Sequence, residues 1–138
     1  MNKKFFISLL TIAAAAFLSF SVTSCSKSDD DPIGDGGDSR IIGTWLNVNS
    51  KYTCAWRFES NGKCQYTEWG KNGKEEWSSD PEDIAKWKMS GNKLNVHWTY
   101  DDGDFDDCTF IYSISEDGTT LTLSEGDHGK AGTYIKRN

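Results

Sequence analysis

The sequence lacks the residue spacings that mark common catalytic and metal sites. It has only two histidines, His97 and His128, and neither belongs to a His-x-x-x-His or Cys-x-x-Cys pattern that would predict zinc. No serine lies in a nucleophile elbow, and Cys108, next to Asp107, has no basic neighbour that would favour its thiolate. We therefore predict a protein that is not an enzyme and that holds no cofactor and no metal.

The one dense acidic run, residues 101–107, also lacks the pattern of a calcium loop. An EF-hand loop that began at Asp102 would need glycine at its sixth position and glutamate at its twelfth, where Asp107 and Ser113 stand. The run is therefore predicted to be a solvated hairpin tip, with weak calcium binding as the minor alternative.

Positive charge and helical periodicity are also scarce. The chain has 15 Lys and Arg against 21 Asp and Glu, and an acidic surface disfavours nucleic acid as a partner. No segment repeats its apolar residues with the 3.6-residue period of an amphipathic helix, and no internal repeat is evident. The lack of helical periodicity favours an all-β domain.

The N-terminus carries the one long apolar run. Lys3 and Lys4 precede residues 5–20, which are mostly apolar, and the small residue Ser24 follows. A positive start, an apolar run and a small residue are the layout of a secretory signal peptide. A transmembrane helix is the alternative, but it needs about 20 apolar residues.

The residues after this run indicate which type of signal peptide it is. Val22-Thr23-Ser24-Cys25 resembles a bacterial lipobox, where a lipoprotein precursor is acylated and cut. The resemblance implies that residues 1–24 are removed and that Cys25 becomes the lipidated first residue. Several acyl chains on one residue give a stable membrane anchor.

Residues 25–39 are predicted to be a disordered acidic tether, because they are rich in Asp, Gly and Ser and poor in apolar residues. Their stretch 28–31, which follows Cys25 closely, resembles the surface-export signal of Bacteroidota lipoproteins. That resemblance implies an outer-membrane protein displayed on the cell surface, with a periplasm-facing lipoprotein as the alternative. Loss of Lys3 and Lys4 from the 15 basic residues would leave 13 against 21 acidic ones.

Three cysteines remain once Cys25 is assigned to lipid. An odd number in an exported protein permits one disulfide at most. A hairpin turn at Asn61-Gly62 places Cys64 near residues 58–59 and Cys54 near residues 68–69. The two thiols then lie more than roughly 10 Å apart, too far for a disulfide, at about 3.3 Å per residue.

Residues 40–138 are predicted to form one all-β domain. Period-two alternation and turn pairs such as Asn61-Gly62 and Asp117-Gly118 mark short strands joined by local turns. A sequential meander removes its edges best by closing, which favours an up-and-down antiparallel barrel of about eight strands over a two-sheet sandwich. The predicted strands are residues 41–48, 52–59, 63–69, 74–78, 84–90, 93–100, 108–115, 119–124 and 131–137.

Four stretches are similar to the small lipocalin-like domains of Bacteroidota lipoproteins: Gly43-Thr44-Trp45, residues 58–62, residues 87–94, and residues 112–115 with 121–123. The resemblance implies that Trp45, next to Gly43, packs across the closed end of the barrel and that Arg137 covers it. The chain is shorter than full lipocalins and has no C-terminal helix. An eight-stranded barrel of this size is also compatible with an interior filled by side chains.

Function is predicted from the aromatic residues. All six tryptophans lie in the domain, and Trp69 and Trp77 flank a turn near the expected rim, where tryptophans stack on sugars or close over apolar ligands. We expect a binding module for a small apolar or aromatic ligand, with a surface protein or glycan as a further partner. The alternative is a filled barrel that acts through its loops as an accessory subunit or inhibitor. The predicted core or pocket wall comprises Trp56, Phe58, Tyr66, Trp69, Trp87, Trp98, Phe110 and Tyr112.

Overall fold

The computed structural model describes residues 32–34, 37–49, 51–126 and 129–138. They form a closed antiparallel barrel in which each strand pairs with its neighbour in sequence and the last strand pairs with the first. The predicted all-β, eight-stranded barrel is therefore confirmed. The strands are β1 (Gly43–Val48), β2 (Tyr52–Phe58), β3 (Lys63–Gly70), β4 (Ala85–Ser90), β5 (Lys93–Thr99), β6 (Phe105–Ile114), β7 (Thr120–Ser124) and β8 (Gly132–Lys136).

The first hairpin has the predicted register. Cys64 lies opposite Phe58, and Cys54 lies opposite Glu68, so the two thiols are several residues apart along the β2–β3 ladder. Cys54 and Cys64 are buried, and Cys108 is half-buried.

Two predicted elements differ from the structure. Residues 74–78 are not a strand but part of a long loop that follows β3. The carbonyl groups of this loop accept hydrogen bonds from side chains of β3 and not from the main chain of a neighbouring strand. Gln65 Nε2 donates to the Ser78 carbonyl at 2.6 Å, and Thr67 Oγ1 donates to the Glu76 carbonyl at 2.8 Å. The acidic run is also more regular than predicted, because β6 already begins at Phe105.

The barrel interior is filled by side chains. Trp56 stacks on Phe58 with ring centroids 5.4 Å apart, and Phe110 meets Trp56 edge-on at 6.0 Å. These large aromatic side chains replace the scarce aliphatic ones. The other fully buried large side chains include Trp45, Tyr134, Ile41, Met89, Leu94, Leu121 and Leu123.

One end of the barrel, which we call the covered end, is covered by a 3-10 turn at Ser39–Ile41. Trp45 is fully buried there and its Nε1 donates to the Ile41 carbonyl at 2.7 Å. The cation over the Trp45 ring is Lys136, with Nζ 5.1 Å from the ring centroid, and not Arg137 as the family analogy implied. Lys136 faces Trp45 across β1 and β8, whereas Arg137 binds a carboxylate of the long loop.

The ladder between β3 and β4 is as short as the one that closes the barrel between β1 and β8. Only two residue pairs join β3 to β4, Lys63 with Lys86 and Cys64 with Ala85. Towards the covered end, Pro32–Gly34 lies against the free edge of β4 and pairs with Met89. Pro32 thus already contacts the barrel, although it precedes residue 40, where we placed the start of the domain.

The predicted signal peptide, Cys25 and His128 lie outside the described residues. Within the described ranges, no helix is long and apolar enough to cross a membrane. His97 points outward, as its strand phase predicts, and its Nδ1 lies 2.8 Å from the Asp107 carboxylate.

Candidate functional site

A cleft opens in the barrel wall at the end opposite the covered one. It exists because β4 starts only at Ala85, so the last part of β3 and the last residues of β5 have no strand between them. The connecting residues 71–84 leave the plane of the sheet and run outside β3. A closed ladder would have filled this position with the first half of β4.

The cleft has two lobes that share Tyr66, Asp83 and Lys130. The lobe on the β3 side has a volume of about 740 Å³, and its wall includes Glu68 and Trp77. The lobe on the β5 side has a volume of about 480 Å³ and is lined in addition by Trp98, Tyr100, Glu82, Asp106 and Asp107. Both volumes fall within the range of small-molecule sites.

The floor of the cleft is aromatic. Tyr66 and Trp98 are half-buried, and both rest on the buried ring of Trp56, at centroid distances of 5.1 and 6.3 Å. Trp56 is held in turn by Phe58 and Phe110. The packed core thus holds two partly exposed aromatic surfaces in place from below, which preorganises them for a ligand.

Lys130 lies over this floor. Its Nζ is 5.6 Å from the Tyr66 ring centroid and 5.5 Å from the Trp98 ring centroid, within cation–π range of both. Its backbone is fixed by two buried side chains, because Tyr134 Oη donates to the Lys130 carbonyl at 2.6 Å and Trp56 Nε1 donates to it at 3.5 Å. The ammonium group therefore extends from a fixed backbone position and lies close to both rings.

The rim on the β5 side is acidic. Tyr100 Oη donates to the Asp106 carboxylate at 2.8 Å, and this hydrogen bond is the main cause that raises the pKa of Tyr100. Glu82 accepts a hydrogen bond from the Asp101 backbone N–H at 2.7 Å. These carboxylates offer acceptors for hydroxyl or ammonium groups of a ligand.

Tyr66 contributes a neutral hydroxyl to the cleft. Burial raises its pKa well above the usual range, and a hydrogen bond with Cys54 raises it further. The hydroxyl donates to the Gly129 carbonyl at 3.4 Å and lies 3.5 Å from the Glu68 carboxylate. Tyr66 is therefore a contact surface and hydrogen-bond donor rather than a base.

The structure divides the predicted pocket residues into three groups. Five of them are buried in the core (Trp56, Phe58, Trp87, Phe110 and Tyr112), while Tyr66 and Trp98 line the cleft. Trp69 lies on the outer face instead, because it pairs with Thr53 in the outward phase of β2 and β3. Trp77 lies at the outer margin of the β3 lobe, with its ring 4.3 Å from the Arg57 guanidinium carbon.

Several cleft residues were missed by the sequence analysis. Lys130 and Asp83 lie in connections, and no local pattern predicts which lysine or aspartate of a loop reaches a given strand. Tyr100 was assigned to a strand, but the link with Asp106 depends on the β5–β6 turn. Among the described residues, no three histidine, cysteine or acidic side chains are grouped so as to hold a metal ion.

No family model matches the chain, and no curated protein or solved structure matches it significantly.

Proposed function

We propose that this chain is a lipid-anchored, surface-displayed, lipocalin-like binding module whose small ligand lies in the cleft rather than inside the barrel. The supporting observation is the contrast between a filled interior and the two half-buried rings of Tyr66 and Trp98. A flat apolar or aromatic group would stack on these rings. Lys130 and the acidic rim would bind its polar groups.

The anchor is proposed from the sequence alone. The lipobox-like residues before Cys25 and the acidic run after it support acylation at Cys25 and display on the outer membrane. Residues 26–31 would then link the lipid to the folded domain.

A second candidate is supported by the outer face of β1 and β8. Val48 and Ile135 are 72% and 54% exposed, and together with Leu46 they line a shallow groove of about 430 Å³. Exposed apolar side chains grouped on one face are typical of protein contacts. A filled barrel that acts as an accessory subunit or inhibitor would use such a face.

The ligand site is tested by titration with N-acetyltryptophanamide, a small neutral aromatic probe, followed by NMR. We expect chemical-shift changes centred on Tyr66, Trp98 and Lys130. Trp98→Ala should weaken binding at least fivefold, since one stacking partner is lost. Trp69→Ala, which removes a half-buried tryptophan from the outer face, is the matched control and should leave binding unchanged. Shift changes centred on Val48 and Ile135 instead would favour the second candidate.

A further inference from the structure

The edge of β3 that faces the cleft carries main-chain groups that form no ladder with another described strand. At the two ends of the β2–β3 ladder, Glu59 N–H donates to the Lys63 carbonyl at 2.9 Å and Lys71 N–H donates to the Lys51 carbonyl at 3.2 Å. Main-chain groups of an antiparallel strand alternate between its two edges. The main-chain N–H and C=O groups of the odd-numbered residues of β3 therefore bond to β2. Those of the even-numbered residues point towards the seam between β3 and β4.

Tyr66 and Glu68 are the even-numbered residues at the cleft. Beyond Cys64 and Ala85 the β3–β4 ladder ends, and no described residue forms a main-chain hydrogen bond with Tyr66 or Glu68 on the seam side. Tyr66, Thr67 and Glu68 line the larger lobe side by side. The lobe thus follows an open strand edge.

The same seam already binds an extended segment at its other end. Met89 N–H donates to the Pro32 carbonyl at 2.7 Å, and Gly34 N–H donates to the Met89 carbonyl at 3.1 Å. Ile33 forms a parallel bridge with Met89. The segment 32–34 shows that the seam accepts a chain that is not part of the regular ladder.

We propose that an extended peptide segment of a partner protein adds to β3 in the cleft by hydrogen bonds to the main chain of Tyr66 and Glu68. The peptide residue directly opposite Tyr66 would have its side chain on the same face of the sheet as Tyr66. That side chain would contact the Tyr66 and Trp98 rings. This inference rests on the proposed function, because it names the ligand class for the same aromatic floor. Addition of a strand to a free sheet edge is an established mode of peptide recognition.

The charges around the cleft favour a basic segment. Glu68 and Asp83 line the β3 lobe, and Glu82, Asp106 and Asp107 lie in the β5 lobe. Lys74 and Lys130 are the basic residues of the two walls. Carboxylates outnumber ammonium groups, so lysine or arginine on both sides of the central aromatic residue complements the site.

The test measures how tightly the full-length mature protein binds the capped peptide acetyl-Lys-Thr-Trp-Thr-Lys-amide. N-acetyltryptophanamide, which has the same aromatic side chain but is too short to form a strand, is the comparison ligand. We expect the peptide to bind at least tenfold more tightly than the amide. Two further peptides carry N-methyl groups on alternate main-chain nitrogens. One of them should lose at least fivefold in affinity and the other should keep it, because only one edge of the added strand faces β3.

A variant pair tests the protein side. Glu68→Pro removes the N–H of Glu68 that points to the seam, a position where proline is tolerated on an edge strand. It should weaken peptide binding at least fivefold more than Glu68→Ala does, because both variants lose the carboxylate and only the proline also loses the N–H. The methylated peptides test the same contact on the unchanged protein, so the result stands even if Glu68→Pro fails to fold.

The outcomes separate this inference from the proposed function. Equal binding of the peptide and the amide, with no effect of either methylation, overturns the strand inference and leaves the ligand site in place. Absence of binding by both probes at millimolar concentration overturns both. A methylation effect together with protection of the Tyr66 and Glu68 amides from hydrogen exchange supports the inference.

Discussion

Arg137, directly after β8, and Glu75, in the loop after β3, form a bidentate ion pair. Arg137 Nη1 lies 2.9 Å from Glu75 Oε1, and Nη2 lies 2.7 Å from Oε2. Trp77 Nε1 also donates to this carboxylate at 2.6 Å, and the Trp77 ring stacks on Arg57 of β2. The loop residues 71–80 therefore form a strap over the outer face of the barrel, with Glu75 as its anchor.

Glu75→Gln should loosen this strap in a pH-dependent manner. The Arg137 guanidinium lowers the pKa of Glu75 below its ordinary value near 4.5. A carboxyl whose pKa is lower in the folded state contributes stability above its unfolded pKa and loses it as pH falls through the folded pKa. The pair is partly exposed, so we expect Glu75→Gln to lower the free energy of unfolding by about 0.5–1 kcal/mol.

Urea denaturation of the two proteins at pH 7 and at pH 3 measures this difference. The difference in the free energy of unfolding between wild type and Glu75→Gln should have its full value at pH 7 and should be smaller at pH 3. A difference that stays constant over the whole range would show that the ion pair does not hold the strap.

Gly43→Ala should destabilise the covered end. Gly43 has φ of +134°, and a Cβ added there would meet Lys136 Cε at 3.1 Å. Both the backbone and the lysine over Trp45 would have to shift, so we expect a loss of about 1–2 kcal/mol. Gly70→Ala is the control, since a Cβ at Gly70 has nothing within 4 Å and should change stability by less than about 0.5 kcal/mol. Equal melting temperatures of the two variants would contradict the prediction.

The predicted parts of the fold are those that local sequence determines. The turn at Asn61-Gly62 and the alternation on both sides of it were enough to place Cys64 near residues 58–59 and Cys54 near residues 68–69, and the structure has Phe58 and Glu68 as their partners. The same alternation indicates the outward position of Trp69. Cys64 and Tyr66 lie on the inner face of β3 together with Glu68, so Trp69, the next residue, lies on the outer face.

The parts that were not predicted depend on contacts between distant residues. The segment 74–78 has strand-like composition, but the side chains of Gln65 and Thr67 bind its carbonyls on the outside of the sheet. The ion pair of Arg137 with Glu75 joins residues 62 positions apart. The cleft follows from this displaced segment, so local pattern alone could not predict it.

The three cysteines of the domain should differ in reactivity. Burial raises the pKa of both the Cys64 and the Cys54 thiol, which leaves little thiolate at neutral pH. Cys108 is half-buried. We expect iodoacetamide at pH 8 to modify Cys108 first, with Cys54 and Cys64 modified at least tenfold more slowly. Peptide mapping by mass spectrometry identifies the order, and rapid labelling of Cys64 in the folded protein would contradict it.

Acylation at Cys25 has its own test. Protein recovered from the membrane of the producing cells should begin at Cys25 and carry the mass of its acyl chains. Cys25→Ala protein should carry no lipid and should leave the membrane fraction. Intact-mass measurement decides the matter: a wild-type protein without lipid would refute the assignment of residues 1–24 as a lipoprotein signal.

Gly34→Ala should release the N-terminal segment from the barrel. A Cβ added to Gly34 would collide with the carbonyl oxygen of Met89, a main-chain atom that β4 holds in place. The segment must therefore move away, and the hydrogen bond from Met89 N–H to the Pro32 carbonyl is lost with it. We expect a loss of about 1–2 kcal/mol, comparable to that for other disrupted backbone contacts.

Hydrogen exchange followed by NMR gives the local signal for this release. The Met89 amide should exchange at least tenfold faster in Gly34→Ala than in wild type, while the Trp87 amide, which donates to the Gly62 carbonyl at 2.9 Å, should remain protected. Gly70→Ala should change neither amide. Unchanged protection of Met89 in Gly34→Ala would mean that the N-terminal segment does not cover the edge of β4 in solution, and the folded domain would then begin closer to the 3-10 turn at Ser39–Ile41.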